Sequence, residues 1–211
     1  STKKTYRWKN GEKNYLDINQ IKKKFIAVID FGIKKNILRL LESKNYDVIV
    51  FPINFSYKKI LSLNPAGIFL SNGPGDPKAT FNKFKKELQN LKKLNVPTFG
   101  ICLGHQILSL LFGARTEKMH HGHRGANHPI KNHSTKNVEI TVQNHGFVVS
   151  EKGLPKNIKI THSSLFDKTI AGIEIENKPF FSVQYHPESS PGPQDSRYLF
   201  EKFKSLIINY A

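Results

Sequence analysis

Four apolar runs in the first half of the chain, each followed by a segment of helical spacing, restrict the fold more than any other feature. The runs are Phe25–Phe31 (FIAVIDF), Tyr46–Pro52 (YDVIVFP), Ala66–Ser71 (AGIFLS) and Val96–Ile101 (VPTFGI). Continuous apolar runs of this length are expected of strands covered on both faces. The segments between and after them are Lys34–Ser43, Ser56–Leu63, Phe81–Leu94 and Leu103–Phe112. They repeat apolar residues on one side, as in Ile37, Leu38, Leu40 and Leu41, or Phe84, Leu88 and Leu91. Alternation with short links means βαβ units and a parallel sheet. Right-handed crossovers then put helices on both faces. After Gly113 the pattern changes to short alternating strands at Val138–Val142, Ile158–His162, Ile170–Ile175 and Phe180–Gln184. A last helix is expected from about Gln194 to Tyr210. The expected class is α/β, with a doubly wound, mostly parallel central sheet over residues 24–211 and an added antiparallel or mixed strand region in the second half. Residues 1–23 are polar and lack a period. They are expected to form a linker or arm, with Trp8 and Tyr15 as anchors.

Composition narrows the function. Hydrophobic residues make up 38% of the 211 positions, enough for a real core. No run approaches the roughly 18–20 apolar residues of a membrane span, so no membrane partner is expected. The opening STKKTYRWKNGEKNYLD has no apolar region of the secretory kind. The net charge of +17 comes from lysines spread along the chain, with only five arginines. It reads as solvated faces, and a nucleic-acid partner is not expected. The one cysteine, Cys102, excludes an internal disulfide and a multi-cysteine zinc site. It points to a reducing compartment, cytoplasmic or an organelle of equivalent redox state.

Three motifs fall at strand ends, where open α/β sheets bind ligands. Gly100-Ile101-Cys102-Leu103-Gly104 has the form G-x-C-x-G at a strand-to-helix junction, the cysteine version of a nucleophile elbow. A helix N-terminus behind the thiol favours thiolate and offers backbone amides to an oxyanion. By itself the motif also fits a packed cysteine at a helix start. Gln184-Tyr185-His186-Pro187-Glu188 can supply a base and its orienting carboxylate. His186 and Glu188 are two residues apart, so an extended segment would point both to one side. Ser71-Asn72-Gly73-Pro74-Gly75-Asp76-Pro77 suits a loop presenting N–H groups to a ligand. It is not a nucleotide P-loop, because no Gly-Lys-Ser/Thr follows. His120, His121 and His123 are expected in a loop, without the spacing or companion cysteines of a metal site. No metal is expected. His105, three residues from Cys102, is a weaker candidate for the base.

Taken together, GICLGHQ, QYHPE and SNGPGDP resemble the class I, triad-type glutamine amidotransferases, a flavodoxin-like fold. Finer features resemble the small, glutaminase subunit of carbamoyl-phosphate synthetase. They are Asp30-Phe31-Gly32-Ile33-Lys34-Lys35-Asn36-Ile37-Leu38-Arg39, Gly122-His123-Arg124-Gly125-Ala126-Asn127-His128-Pro129, Gln143-Asn144-His145-Gly146-Phe147 and His186-Pro187-Glu188-Ser189-Ser190-Pro191-Gly192-Pro193.

The resemblance implies that Cys102 attacks the carboxamide of glutamine, that His186 moves the proton and that Glu188 orients the imidazole. The oxyanion would sit on the amides of Gly75 and Leu103. Glutamine would be held by Gly73, Gly75, Leu103, Gln106, Asn144, Gly146 and Phe147. No cofactor is implied for this chain. ATP and Mg would be used by a large synthetase partner, reached through an ammonia tunnel. The family's separate N-terminal domain has no counterpart here, and residues 1–23 resemble the tail of its connection. Alternatives left open are an anthranilate or guanine-nucleotide acceptor, and a non-catalytic regulatory module of the same fold.

Overall fold

A computed structural model of the chain describes residues 1–43 and 45–210. In chain order the strands are β1 (Tyr6–Lys9), β2 (Glu12–Tyr15), β3 (Phe25–Asp30), β4 (Asp47–Pro52), β5 (Gly67–Leu70), β6 (Thr98–Ile101), β7 (Thr116–Asn132), β8 (Val138–Val149), β9 (Ile158–Ser164), β10 (Ile170–Ile175) and β11 (Phe180–Val183). The α-helices are α1 (Lys35–Leu41), α2 (Tyr57–Ser62), α3 (Pro77–Lys92), α4 (Leu103–Leu111) and α5 (Tyr198–Tyr210). Among the described residues all eleven strands join one sheet, in the order β2-β1-β4-β3-β5-β6-β11-β10-β9-β7-β8. The run β4-β3-β5-β6-β11 is parallel, and the pairs outside it are antiparallel.

The continuous apolar strands are covered on both faces, as double winding requires. On β3, Phe25, Ala27 and Ile29 pack with Tyr57 and Ile60 of α2, Leu88 and Leu91 of α3 and Leu103 and Ile107 of α4. The alternate residues Ile26 and Val28 pack with Ile37 and Leu38 of α1 and Phe203 and Ile207 of α5. On this second face Phe69, Phe99, Phe181, Phe200 and Phe203 form an aromatic cluster, in which Phe99 and Phe181 stack at 4.4 Å. Each such side chain contributes about 1.5–3 kcal/mol of transfer free energy.

The first residues differ from the arm expected of them. Tyr6 and Trp8 alternate inward and are 1% and 2% exposed, and β1 pairs antiparallel with β4. The signal was the Asn10-Gly11 pair. Both residues have positive φ, 51° and 84°, as a two-residue hairpin turn demands. Trp8 is an anchor, whereas Tyr15 is 64% exposed and meets Tyr6 only edge-on.

Further along, the polar stretch expected as a loop around His120–His123 is strand β7, paired with β8 over most of its length. Its lack of alternation hid it, because neither face is simply apolar. Strand β8 runs on from Val142 to Val149 and inverts the usual pattern. Glu139, Thr141, Gln143 and His145 are buried, while Val138 and Ile140 are exposed. The buried polar groups are partly satisfied among themselves, with one Glu139 oxygen left without a partner. Asn132 donates to Glu139 at 2.9 Å, and Tyr198 donates to Glu139 at 3.0 Å.

Helix α3 begins earlier than its apolar spacing suggests, because Asp76 caps the amides of Lys78 and Ala79 and Pro77 opens the first turn. Helix α5 begins later than expected, at Tyr198.

Candidate active site

The parallel pairing of β6 and β11 puts Ile101 beside Val183, so the residues after both strands meet at one sheet edge. Cys102 is the turning point between β6 and α4. Its φ and ψ are 53° and −102°, a conformation L-residues rarely adopt. The strain is held by Cys102 N–H donating to the Val183 carbonyl at 2.9 Å and by Gln106 N–H donating to the Cys102 carbonyl at 3.1 Å. Cys102 is 5% exposed at the base of an open cavity.

The flanking glycines serve packing. A Cβ on Gly104 would lie 2.1 Å from the Leu70 carbonyl oxygen, and one on Gly100 would lie 2.8 Å from the Gly104 backbone. They let the first turn of α4 close onto β5 and β6, and it is the cysteine itself that takes the positive φ.

Cys102 and His186 line the same cavity, and His186 Nδ1 lies 2.8 Å from Glu188 Oε1. Nε2 is therefore the nitrogen left to face the thiol. The His–Glu pair does not arise from strand alternation, because β11 ends at Val183. A turn at Pro187 makes it, with Ser189 N–H donating to the His186 carbonyl at 3.2 Å. Asn36 of α1 donates to the Glu188 carbonyl from outside. Burial opposes charge on His186, yet the hydrogen bonds and charges of Cys102 and Glu188 outweigh it and raise the imidazole to about 9. Burial likewise opposes charge on Glu188, but the hydrogen bond and charge of His186, with the charge of Lys34, hold the carboxyl below its ordinary value. The arrangement favours an imidazolium held against the Glu188 carboxylate.

Sequence reasoning did not single out Lys34 as a site residue. Its Nζ lies 3.3 Å from Glu188 Oε1 and 3.3 Å from His186 Nδ1. The β3–α1 turn delivers it. Asp30 Oδ1 accepts from Gly32 and Ile33 at 2.9 and 2.8 Å, and the Asn72 carboxamide accepts from Lys34 N–H and donates to the Gly32 carbonyl. The signal was the position of Lys34 just beyond a first-strand carboxylate.

A cavity of about 690 Å³ opens above Cys102 and His186. Of the expected glutamine contacts, Gly73, Gly75, Gln106, Asn144, Gly146 and Phe147 line it. Leu103 does not, because its side chain is in the core. Its amide, the first of α4, still lacks an intrahelical acceptor. Gln106 spends its amide nitrogen on the Phe147 carbonyl at 2.8 Å and the Gln184 carboxamide at 3.0 Å, which leaves its oxygen for a ligand. Gly73 permits close approach, since a Cβ there would meet the Phe31 carbonyl oxygen at 2.5 Å; Gly75 has φ 103°.

The other histidines divide cleanly. His105 is fully buried away from the cavity, 2.8 Å from Ser182 Oγ, and burial lowers it to about 3, so it is a neutral packing residue. His145 lines the cavity with its ring nitrogens 2.9 Å from the Phe147 carbonyl and 2.9 Å from the Gln143 carboxamide; burial and the charge of His123 lower it to about 4. His123 pairs with Asp167 at 2.8 Å. Among the described residues no group of three His, Cys, Asp or Glu is arranged to hold a metal ion, and no helix is long and apolar enough to cross a membrane.

The chain is similar over most of its length to known proteins. The family model described as glutamine amidotransferase class-I matches residues 27–206. The carbamoyl phosphate synthase small chain of Bartonella bacilliformis is 56% identical over 185 residues, 88% of this chain and 46% of that one. That of Bartonella henselae is 51% identical over 207 residues, 98% and 51%. That of Rhizobium meliloti is 55% identical over 182 residues, 86% and 45%. The chain thus spans about half the length of the curated relatives it matches. A Thermoplasma acidophilum crystal structure described as a GMP synthase protein superposes with a TM-score of 0.77 at 22% identity. The match covers 90% of this chain and 96% of that one, and it supports the fold alone.

Proposed function

This chain belongs to the class-I glutamine amidotransferase family, and we propose that it is a glutaminase domain supplying ammonia to a synthetase that makes carbamoyl phosphate. The observation that carries the reading is Cys102 and His186 together in the cavity lined by Gly73, Gly75, Gln106, Asn144, Gly146 and Phe147, with Glu188 behind the imidazole. The choice of acceptor follows the small-chain relatives at 51–56% identity.

The Cys102 thiol gives its proton to His186 as its sulfur forms a bond to the side-chain carbonyl carbon of glutamine, and the carbonyl π pair moves onto oxygen. That oxyanion is held by the amides of Leu103 and Gly75. Such donors are worth about 3 kcal/mol each. The imidazolium of His186 gives its proton to the departing nitrogen, the C–N bond breaks and ammonia leaves. Neutral His186 then takes a proton from water, and the hydroxide attacks the thioester. Glutamate is released and the sulfur regained. Glu188 keeps the imidazole aimed and favours its charged form, and Lys34 balances the buried carboxylate.

These steps use only groups of this chain. ATP and Mg belong to the large partner in the proposed assembly. Ammonia is largely protonated in bulk water, so a docked complex with a tunnel would deliver it to the acceptor in its nucleophilic form. The free thiol suits a reducing, cytoplasmic-type compartment.

The test measures glutamate release from glutamine by the chain and by Cys102→Ser. It then measures glutamine-dependent carbamoyl phosphate formation after adding a large synthetase chain. Equal glutamate release by the serine variant sinks the nucleophile assignment. Failure of glutamine, but not ammonium, to support synthesis in the reconstituted pair sinks the acceptor.

A further inference from the structure

The segment that carries His186 and Glu188 does not end with the turn at Pro187. It runs on to Arg197 along the outer edge of β8, and it is tied there at two points. His186 N–H donates to the Val142 carbonyl at 2.9 Å. Nine residues later the Asp195 carboxylate accepts the Ile140 N–H at 2.9 Å. Residues 140 and 142 present their backbone groups to the same side of the strand, so the two bonds form one short ladder. Between them Gly192 packs so close to β8 that a Cβ would lie 2.9 Å from Val142 Cγ2. The same strand, farther on, supplies Asn144, Gly146 and Phe147 to the cavity wall.

From this geometry we infer that Asp195 is a positioning residue for the proposed reaction. Its carboxylate stands in for a neighbouring strand and keeps the 186–195 segment in register on β8. The register sets the Val142–His186 bond, and that bond sets the distance from imidazole to thiol. Asp195 does not line the cavity, makes no hydrogen bond to His186 and is itself exposed, so its loss leaves the fold intact while loosening the base. The inference rests on the glutaminase reading.

The experiment compares wild type, Asp195→Ala and Asp195→Asn, which keeps an acceptor oxygen. Two readouts are taken at pH 7: steady-state glutamate release, and the rate of Cys102 alkylation by iodoacetamide. Asp195→Ala is expected to lose about tenfold in kcat with KM for glutamine within about twofold. Alkylation should slow in parallel, with the melting temperature unchanged within about 2 °C. Asp195→Asn should recover most of both rates. Wild-type kcat and alkylation in the alanine variant overturn the inference. So does an asparagine variant as impaired as alanine, or a loss that appears in KM instead. If wild type releases no glutamate while alkylation still separates alanine from the other two, Asp195 keeps its role and the glutaminase reading fails.

Discussion

Replacing Glu188 with glutamine isolates the electrostatic half of the site. Glu188 is 1% exposed, with one oxygen 2.8 Å from His186 Nδ1 and 3.3 Å from Lys34 Nζ. Its other oxygen is buried without a partner. A glutamine fits the same space, with its carbonyl on His186 and its NH2 in the vacant position, so the change removes charge and little else. The rise of His186 from 6.5 to about 9 corresponds to about 3 kcal/mol in favour of imidazolium, net of the burial that opposes it. Glu188 and Cys102 share that preference. If most of it is lost with the carboxylate, kcat for glutamine hydrolysis falls by about a hundredfold. Glu188 does not line the substrate cavity, so KM should move little. The pH dependence is the sharper readout. In wild type His186 remains an acid until pH rises through about 9, which sets the alkaline limb of kcat. In Glu188→Gln the limb moves to lower pH. The assay is glutamate release from about pH 6 to 10, with thermal unfolding as the folding control. A folded variant that keeps kcat within about threefold of wild type and an alkaline limb near 9 would falsify the electrostatic role of Glu188.

Four further outcomes are expected. Cys102→Ser should abolish glutamate release while leaving the melting temperature nearly unchanged; substantial residual turnover points to another nucleophile. Gly104→Ala should fail to fold or lose more than about 3 kcal/mol, because its Cβ would stand 2.1 Å from the Leu70 carbonyl oxygen; urea denaturation near wild type contradicts that packing. Trp8→Ala should cost about 3–5 kcal/mol, and soluble protein of unchanged stability would mean that the hairpin is not part of the core. Buried His105, His145 and His162 have imidazoles lowered to about 3, 4 and 4. They stabilise the fold above pH 6.5, where the unfolded chain is also neutral. That contribution is lost as pH falls from 6.5 towards 4, at about 4 kcal/mol per pH unit for three protons. A flat urea-unfolding free energy across that window refutes the burial of these rings.

Much was legible in sequence, and for physical reasons. A run such as FIAVIDF can only be a strand covered on both sides, because each residue along it must find apolar contact. Four such runs alternating with helices leave few topologies besides a doubly wound sheet. The G-x-C-x-G elbow was legible because steric room at a sharp turn admits little but glycine on either side of the cysteine. Less legible were β7 and the outer face of β8, where residues turned inward are polar and the apolar alternation fails. Asn10-Gly11 shows the reverse case, a hairpin signal present in the chain but masked by the polarity around it.

Only the tertiary structure decided the rest. Sequence offered His186 and Glu188 as an alternating pair on an extended strand, whereas a turn at Pro187 sets them 2.8 Å apart. It offered His105 as a rival base, and burial beside Ser182 removes it from the cavity. Lys34 reaches Glu188 from the far end of the chain through a turn held by Asp30 and Asn72. The sequence by itself determined which residues could do the chemistry, because residue type and strand-end position follow from local rules. Which of them meet, and in which charge state, was decided by parallel pairing and burial, since distance and desolvation exist only between segments already packed together.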